Sequence, residues 1–278
     1  MAIGISVSPA LVRLDLAENP PQFTLTYTNN SNQALTINLS TKDFTGLEEG
    51  WRINFLDNAD PQTYRYSLSS WLKFDPENFL LLPSRTKTVK VNIRTTDLAS
   101  GGHYASIIAA FTPGVSATPS AVTINSQLVS LVFVRANTGL EREEANINSF
   151  SPIITSKLSL PEKYLLRLDN SGNTEMVPRG VVIVRDLRNR EVARGILNQE
   201  GAITLPESVR RYEIPITIKQ SIYPLPGPYQ ATLTVNYSNQ SLLSSVQFFS
   251  FGNPLNVTII ILLIIITLAL VLNKMKRR

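Results

Sequence analysis

Cysteine is absent from the 278 residues, and histidine occurs once, as His103. Disulfide frameworks, zinc fingers, iron–sulfur sites and cysteine nucleophiles are therefore excluded, and a metal would have to sit among oxygen ligands or use His103 as its one imidazole. Excess charge is also scarce. The net charge is +5, but four of the 26 basic residues, Lys274, Lys276, Arg277 and Arg278, lie within the last six positions, and the rest nearly balances the 21 acidic residues. The body thus has no electrostatic footprint for nucleic acid. No G-x-S-x-G, phosphate loop or spaced metal-ligand set occurs. No amphipathic helix interrupts the first 250 residues.

What is present at the C-terminus is a long apolar run. Residues 255–272 read LNVTIIILLIIITLALVL, uncharged, with Asn256, Thr258 and Thr267 as the polar positions. As a helix these residues span roughly 27 Å, near the thickness of a hydrocarbon core. Phe248, Phe249 and Phe251 stand where an aromatic belt would sit, and the basic tail 273–278 follows. The excess of Lys and Arg predicts a cytoplasmic tail and an extracytoplasmic body. Such a body needs an export signal, yet MAIGISVSPA has neither a basic start nor an apolar stretch. Two readings compete: a signal encoded upstream of this start, or a tail anchor with the body in the cytosol. The first is favoured, because the second puts KMKRR on the wrong side.

Before the run the dominant period is two. FTLTYTN, ALTINLS and TVKVNIR alternate apolar with polar residues, as strands with one wet face do. HYASIIAAF and VTINSQLVSLVFV are more continuously apolar and predict central strands. Turn chemistry separates them at 29–32, 57–61, 82–85, 100–102 and 112–114. The pattern breaks at the acidic ANTGLEREEANINSFS and restarts with KYLLRLDNSG. The fold class is therefore all-β: two immunoglobulin-like antiparallel β-sandwiches, 1–137 and 153–251, joined by a linker, 138–152, and followed by a single transmembrane α-helix, 255–272. TYTNNSNQALTI and LRLDNSGNTEMV share an early Asn-Ser turn, which duplication and convergent turn chemistry explain equally well.

ISVSPALVRLDL, FTLTYTNNSNQALTINL, WLKFDPENFLLLPSRTKTVKVNIRTT and GGHYASIIAAF follow one another in the first half, and RLDNSGNTEMVPRGVVIV, LPESVRRYEIPI and GPYQATLTVNY in the second. In order and spacing these resemble the cell-surface proteins with a WxL-interacting-protein-type peptidoglycan-binding domain. That resemblance implies an exported, anchored protein binding cell-wall polymer or other surface proteins. The chain departs from the family in its missing signal and in Ser84, where a glycine is usual after the Leu-Pro turn. The first half also resembles PapD-type pilus chaperones and major-sperm-protein-like domains, through the proline-marked first strand and Phe79–Leu81–Pro83.

Candidate chemistry is sparse. His103 in SGGHYAS could be a general base or a turn residue entering a strand. Glu141, Glu143 and Glu144 could hold calcium or be a solvated linker. A glycoside hydrolase would need two carboxylates across a cleft, and nothing selects such a pair. The aromatics are the better lead. Trp51, Tyr64, Tyr66, Trp71 and Phe74 crowd a weakly patterned stretch, and aromatic faces stack on sugars or anchor protein contacts. Trp71 and Phe74 could instead plug the core. Trp51, Tyr64, Tyr66 and Trp71 are the expected partner-binding residues. The expectation is a non-catalytic, single-pass surface protein that needs no cofactor, with the lipid bilayer and a wall polymer or another surface protein as partners. The alternative is a cytosol-facing, tail-anchored adaptor that recruits peptides.

Overall fold

The computed structural model describes residues 4–47, 49, 52–56, 64–96, 98–113 and 126–276. The chain divides into two compact units, Met1–Glu143 with Gly172–Thr174, and Glu144–Ser171 with Glu175–Arg278.

In the first unit, alternation produces two packed sheets. One holds β1 (Ile5–Ser8), β3 (Gln22–Asn29), β8 (Thr86–Ile93) and β6 (Leu72–Asp75), in that order. The other runs β2 (Leu11–Asp15), β10 (Ser126–Ala136), β9 (Gly101–Pro113), β4 (Leu35–Leu47) and β5 (Arg52–Leu56), with β7 (Asn78–Leu81) also on β4. All pairs are antiparallel except β2 with β10. Leu25 and Tyr27 of β3 and Val89, Val91 and Ile93 of β8 face Ile37, Leu39, Ile107, Ala109 and Val132 across a dry core. The continuously apolar segments are interior strands over their described residues, β9 and β10; residues 122–125 lie outside the described residues. β9 lies between β10 and β4, and residues 101–109 are buried on both faces.

Ser84 explains the glycine usual at its position. Arg85 N–H closes a turn onto Leu82 O at 3.2 Å, with Pro83 second and Ser84 third at φ +54°. A turn of this kind needs a positive φ at its third residue, which glycine adopts most readily.

The second unit is also a sandwich. β11 (Ala145–Ile153), β12 (Lys163–Asn170) and β15 (Ser208–Ile218) make one layer; β14 (Glu191–Leu197), β13 (Arg179–Asp186), β16 (Gly227–Tyr237) and β17 (Gln240–Ser250) make the other. β15 belongs to both. Its residues 208–215 pair with β12, and Ile216–Ile218 pair with β14. At the crossing, a Cβ on Gly195 would lie 2.6 Å from Pro215 O, so a side chain there would hold the two strands apart. Tyr164, Leu166 and Leu168 of β12 pack with Val182, Val184, Leu233 and Val235 in the core. The expected linker 138–152 overlaps β11, whose alternation a bulge between Ile147 and Ser149 interrupts.

Asn29 and Asn170 end equivalent strands, fully buried, in the two units. Asn29 Nδ2 donates to Gln33 O and Leu81 O, and Asn170 Nδ2 to Thr204 O. Asn29 thus ties the turn after β3 to Leu81 of β7, and Asn170 ties the end of β12 to Thr204, ahead of β15.

The helix α1 spans Pro254–Lys276, about 35 Å long. Pro254 occupies its first turn, and Asn253 caps it by accepting Leu255 N–H at 3.0 Å. Its apolar side chains are exposed along its length, unlike those of a core helix. Thr267 donates to Ile264 O at 2.8 Å, which satisfies that hydroxyl within the helix.

Candidate functional site

Of the expected binding residues, Tyr64 and Tyr66 fall beside β4 and β9 of the first unit. β4 is long enough to pair with β7 through residues 35–38 and with β5 through residues 43–47 on the same edge. Its last residues and β5 thus form a hairpin, and among the described residues no strand pairs with the outer edge of β5.

An aromatic row crosses the outer face of this sheet. Phe55 of β5 stands opposite Phe44 of β4. The Phe44 ring lies 6.2 Å from Tyr104 of β9 and 5.7 Å from Phe133 of β10, Tyr104 and Phe133 pack edge-on at 5.2 Å, and Arg13 of β2 lies over Phe133. Tyr66 covers the middle of the row, 5% exposed, with its ring 6.2 Å from Tyr104. Half-buried Tyr64 packs edge-on against Tyr66 and donates its hydroxyl to Phe44 O at 2.8 Å. The cover stops before β5. Phe55 is 40% exposed, and Ile53, opposite Gly46, is 41% exposed. Gly46 offers no side chain to shield Ile53.

Segment 64–71 is held by a buried carboxylate. Asp43 accepts hydrogen bonds from Ser67 Oγ at 2.6 Å, from Leu68 N and Ser69 N at 2.8 Å, and from Ser69 Oγ at 2.9 Å. His103 is buried beside it, with Nδ1 2.9 Å from Ser67 O and Nε2 2.8 Å from Ala99 O. Both ring nitrogens are thereby engaged with backbone carbonyls, so the turn reading of the sequence becomes a structural tie. Trp71 is half-buried: its Nε1 donates to Thr96 O at 3.2 Å, and it packs with Phe74 at the margin of the core. Trp51 lies outside the described residues, as do Arg277 and Arg278. Lys274 and Lys276 close the last turn of α1.

Thus the structure gathers Tyr64 and Tyr66 over the aromatic row and sets Trp71 apart, beside His103. Sequence reasoning missed Ile53 and Phe55, although R-I-N-F-L carries a period of two. It also missed Asp43, for which a lone Asp within a strand gives no signal.

The acidic cluster is tied down. Glu141 accepts the Ser100 hydroxyl at 2.7 Å and the amides of Thr138 and Gly139, and these bonds hold its carboxyl below the ordinary range. Glu143 pairs with Arg135 at 2.9 Å. Among the described residues no three acidic or histidine side chains gather as a metal site. A cleft of about 310 Å³ in this unit is lined, among the described residues, by Leu16, Pro21, Thr95, Leu98, Ala136, Asn137 and Thr138, none of them titratable.

No family model matches the chain, and no curated protein matches it. Solved structures similar to it include three of chaperones. The class 5 fimbriae chaperone CfaA has a TM-score of 0.46 at 11% identity, covering 89% of this chain and 99% of that one. The YadV chaperone has 0.44 at 11%, covering 88% and 99%. The structure of Salmonella enterica SafA pilin in complex with the SafB chaperone has 0.45 at 9%, covering 88% and 98%.

Proposed function

We propose that this chain is a non-catalytic, single-pass membrane protein that displays two β-sandwiches at a cell surface and binds cell-wall polymer or another surface protein. The observation that carries this reading is the join between sandwich and helix. β17 ends at Ser250, and after three intervening residues the exposed α1 begins, uncharged from Pro254 to Asn273. A helix with this apolar surface needs a bilayer, and its basic end, Lys274 to Arg278, belongs on the cytoplasmic side. The body is then extracytoplasmic. The contact surface of the first unit is the β5 edge with Ile53 and Phe55. An unpaired edge accepts an added strand, and exposed aromatic side chains stack on sugar rings or fill a partner's pocket.

The absence of cysteine makes the test direct. Asn239→Cys, in the exposed β16–β17 turn, and Lys276→Cys are introduced separately into the full chain in its native host. An impermeant maleimide should label residue 239 on intact cells and residue 276 only after lysis. The reverse pattern would move the body to the cytosol and favour the peptide-recruiting adaptor. If the body is outside, Ile53→Lys with Phe55→Lys should reduce retention on isolated cell wall or on surface-protein extract at least about tenfold, as loss of a central contact does. Unchanged retention would remove the β5 edge from the reading.

A further inference from the structure

The join between β17 and α1 is built as a rigid joint. Asn256, in the first turn of the helix, is 7% exposed and donates Nδ2 to Pro224 O at 2.9 Å and to Phe251 O at 2.7 Å. Phe251 N–H donates to Lys157 O at 2.9 Å, and the Ser250 hydroxyl to Ser159 O at 2.8 Å. Gly252 has φ +76°, and a Cβ there would lie 2.7 Å from Pro224 O. The helix is therefore clamped to the 219–226 loop, and the residues leading into it, Ser250 and Phe251, to the 154–162 loop.

Strand directions put the β13–β14 turn at this same end. Asp186 pairs with Tyr229 and Gly227 with Ser250, and the Leu187 side chain lies 3.7 Å from where a Cβ on Gly227 would stand. The exposed large apolar side chains of this sandwich collect here: Ile154 and Leu158, Leu187, Tyr223 and Leu225, and Phe249, with Ile218 beside them. Among the described residues only Ile196 and Leu243 lie elsewhere on the sandwich. Leu187 is 76% exposed at the very tip of its turn. Basic groups border these side chains. Arg190 pairs with Asp186, and Lys219 with Glu191, while Lys157 and Arg188 are exposed on the same loops, which also carry Glu162.

If α1 spans the bilayer, its clamped first turn leaves this end within about one helical turn, roughly 5 Å, of the hydrocarbon boundary. Apolar side chains there meet lipid headgroups and acyl boundary, where Tyr, Phe and Leu are favoured and Lys and Arg attract anionic lipid. We propose that the anchor-proximal end of the second sandwich is a membrane-resting face that seats Leu187, Leu225 and Phe249 in the interface of an anionic phospholipid bilayer and holds its headgroups with Lys157 and Arg188. This rests on the reading of α1 as a membrane anchor.

The test uses the full chain in nanodiscs, with single-cysteine environment-sensitive probes at Leu187→Cys, Leu225→Cys, Leu243→Cys and Ile265→Cys. In phosphatidylcholine discs with about a third phosphatidylglycerol, probes at 187 and 225 should be quenched by acrylamide at least about threefold less than the probe at 243, and should be quenched by lipids spin-labelled near the headgroup. Pure phosphatidylcholine, or Lys157→Glu with Arg188→Glu, should return 187 and 225 towards the value at 243. The probe at 265 should be quenched by lipids labelled deep in the chain throughout. Deep quenching at 265 with 187 and 225 as open as 243 would overturn the resting face while leaving the anchor intact. Equal protection in neutral discs would overturn the headgroup recognition. No deep quenching at 265 would overturn the anchor, and the face with it.

Discussion

The Asp43 carboxylate takes the Ser67 hydroxyl at 2.6 Å in the buried interior of the first sandwich. With the amides of Leu68 and Ser69 and the Ser69 hydroxyl, it satisfies four donors on a segment that has little regular structure of its own. Asp43→Ala leaves these donors buried and unpaired. It should destabilise the first unit by about 3 kcal/mol or more, and Ser67→Ala by about 1–2 kcal/mol. Denaturant unfolding of the two variants checks this; equal, small losses would show that the carboxylate is not the centre of the network.

Ser84 holds a left-handed φ of +54° at the third position of its turn. Ser84→Gly should stabilise the first unit by up to about 1 kcal/mol, because glycine meets no Cβ penalty there. The entropy glycine adds to the unfolded chain works the other way and limits the gain. A lowered melting temperature for this variant would show that the serine side chain contributes more than the backbone strain costs.

Tyr164 is fully buried between Phe150, stacked at 5.4 Å, and Phe248, edge-on at 6.2 Å, and its hydroxyl has no hydrogen-bond partner among the described residues. Burial pushes its hydroxyl pKa up. Tyr164→Phe keeps the packing and removes the desolvated group, so the second unit should be as stable as before or gain about 1 kcal/mol. A clear loss in thermal unfolding would reveal a bound water or partner at that oxygen. Tyr212 provides the contrast. Its hydroxyl lies 2.6 Å from Thr204 Oγ1, and burial pushes its pKa up to about 12 against that bond and the Arg210 charge. Tyr212→Phe should cost about 1 kcal/mol.

Stability of the second unit should fall in acid. The hydrogen bonds from Arg194 and Lys219 hold the Glu191 carboxyl below its ordinary range. At Asp186, burial opposes the charge, and the bonds from Arg190 and Arg188 outweigh it, so that carboxyl is lowered too. A carboxylate favoured by the folded state stabilises fully above its unfolded pKa, and the contribution disappears as pH falls through the folded value. The denaturant midpoint should therefore drop between about pH 5 and pH 3. Asp186→Asn with Glu191→Gln should flatten that drop; two parallel curves would assign the acid sensitivity to other groups.

Where local pattern and tertiary role coincide, the sequence is readable. HYASIIAAF is more continuously apolar than its neighbours because β9 is covered on both faces, by the core on one and by Tyr66 and its neighbours on the other. The C-terminal run needs only length and composition. All of β11 but Ile153 reads as linker, because the bulge at Ile147–Ser149 shifts the alternation and acidic residues precede it. Asp43 could not be seen, since its four donors lie 24 to 26 positions away. Of the expected aromatic residues, proximity in sequence put Tyr64, Tyr66 and Trp71 together. The fold separates Trp71 from the other two by turning the chain at Ser69–Trp71. Asn256 reads as a flaw in an apolar span until Pro224 is seen beside it.

The second sandwich receives the chain at Ala145 at one end and releases it through Ser250 at the other, and both end strands run in the same direction between these points. If α1 is held in a bilayer as proposed, drag on the body pulls along the strands. β17 is bonded to β16 over all 11 of its residues, so its ladder is loaded in shear rather than peeled one bond at a time. The clamp at Asn256 passes that load straight into the helix. Pulled from residue 144 and from the anchor, this unit should yield at a higher force than when pulled across its strands, a difference that single-molecule stretching would read directly.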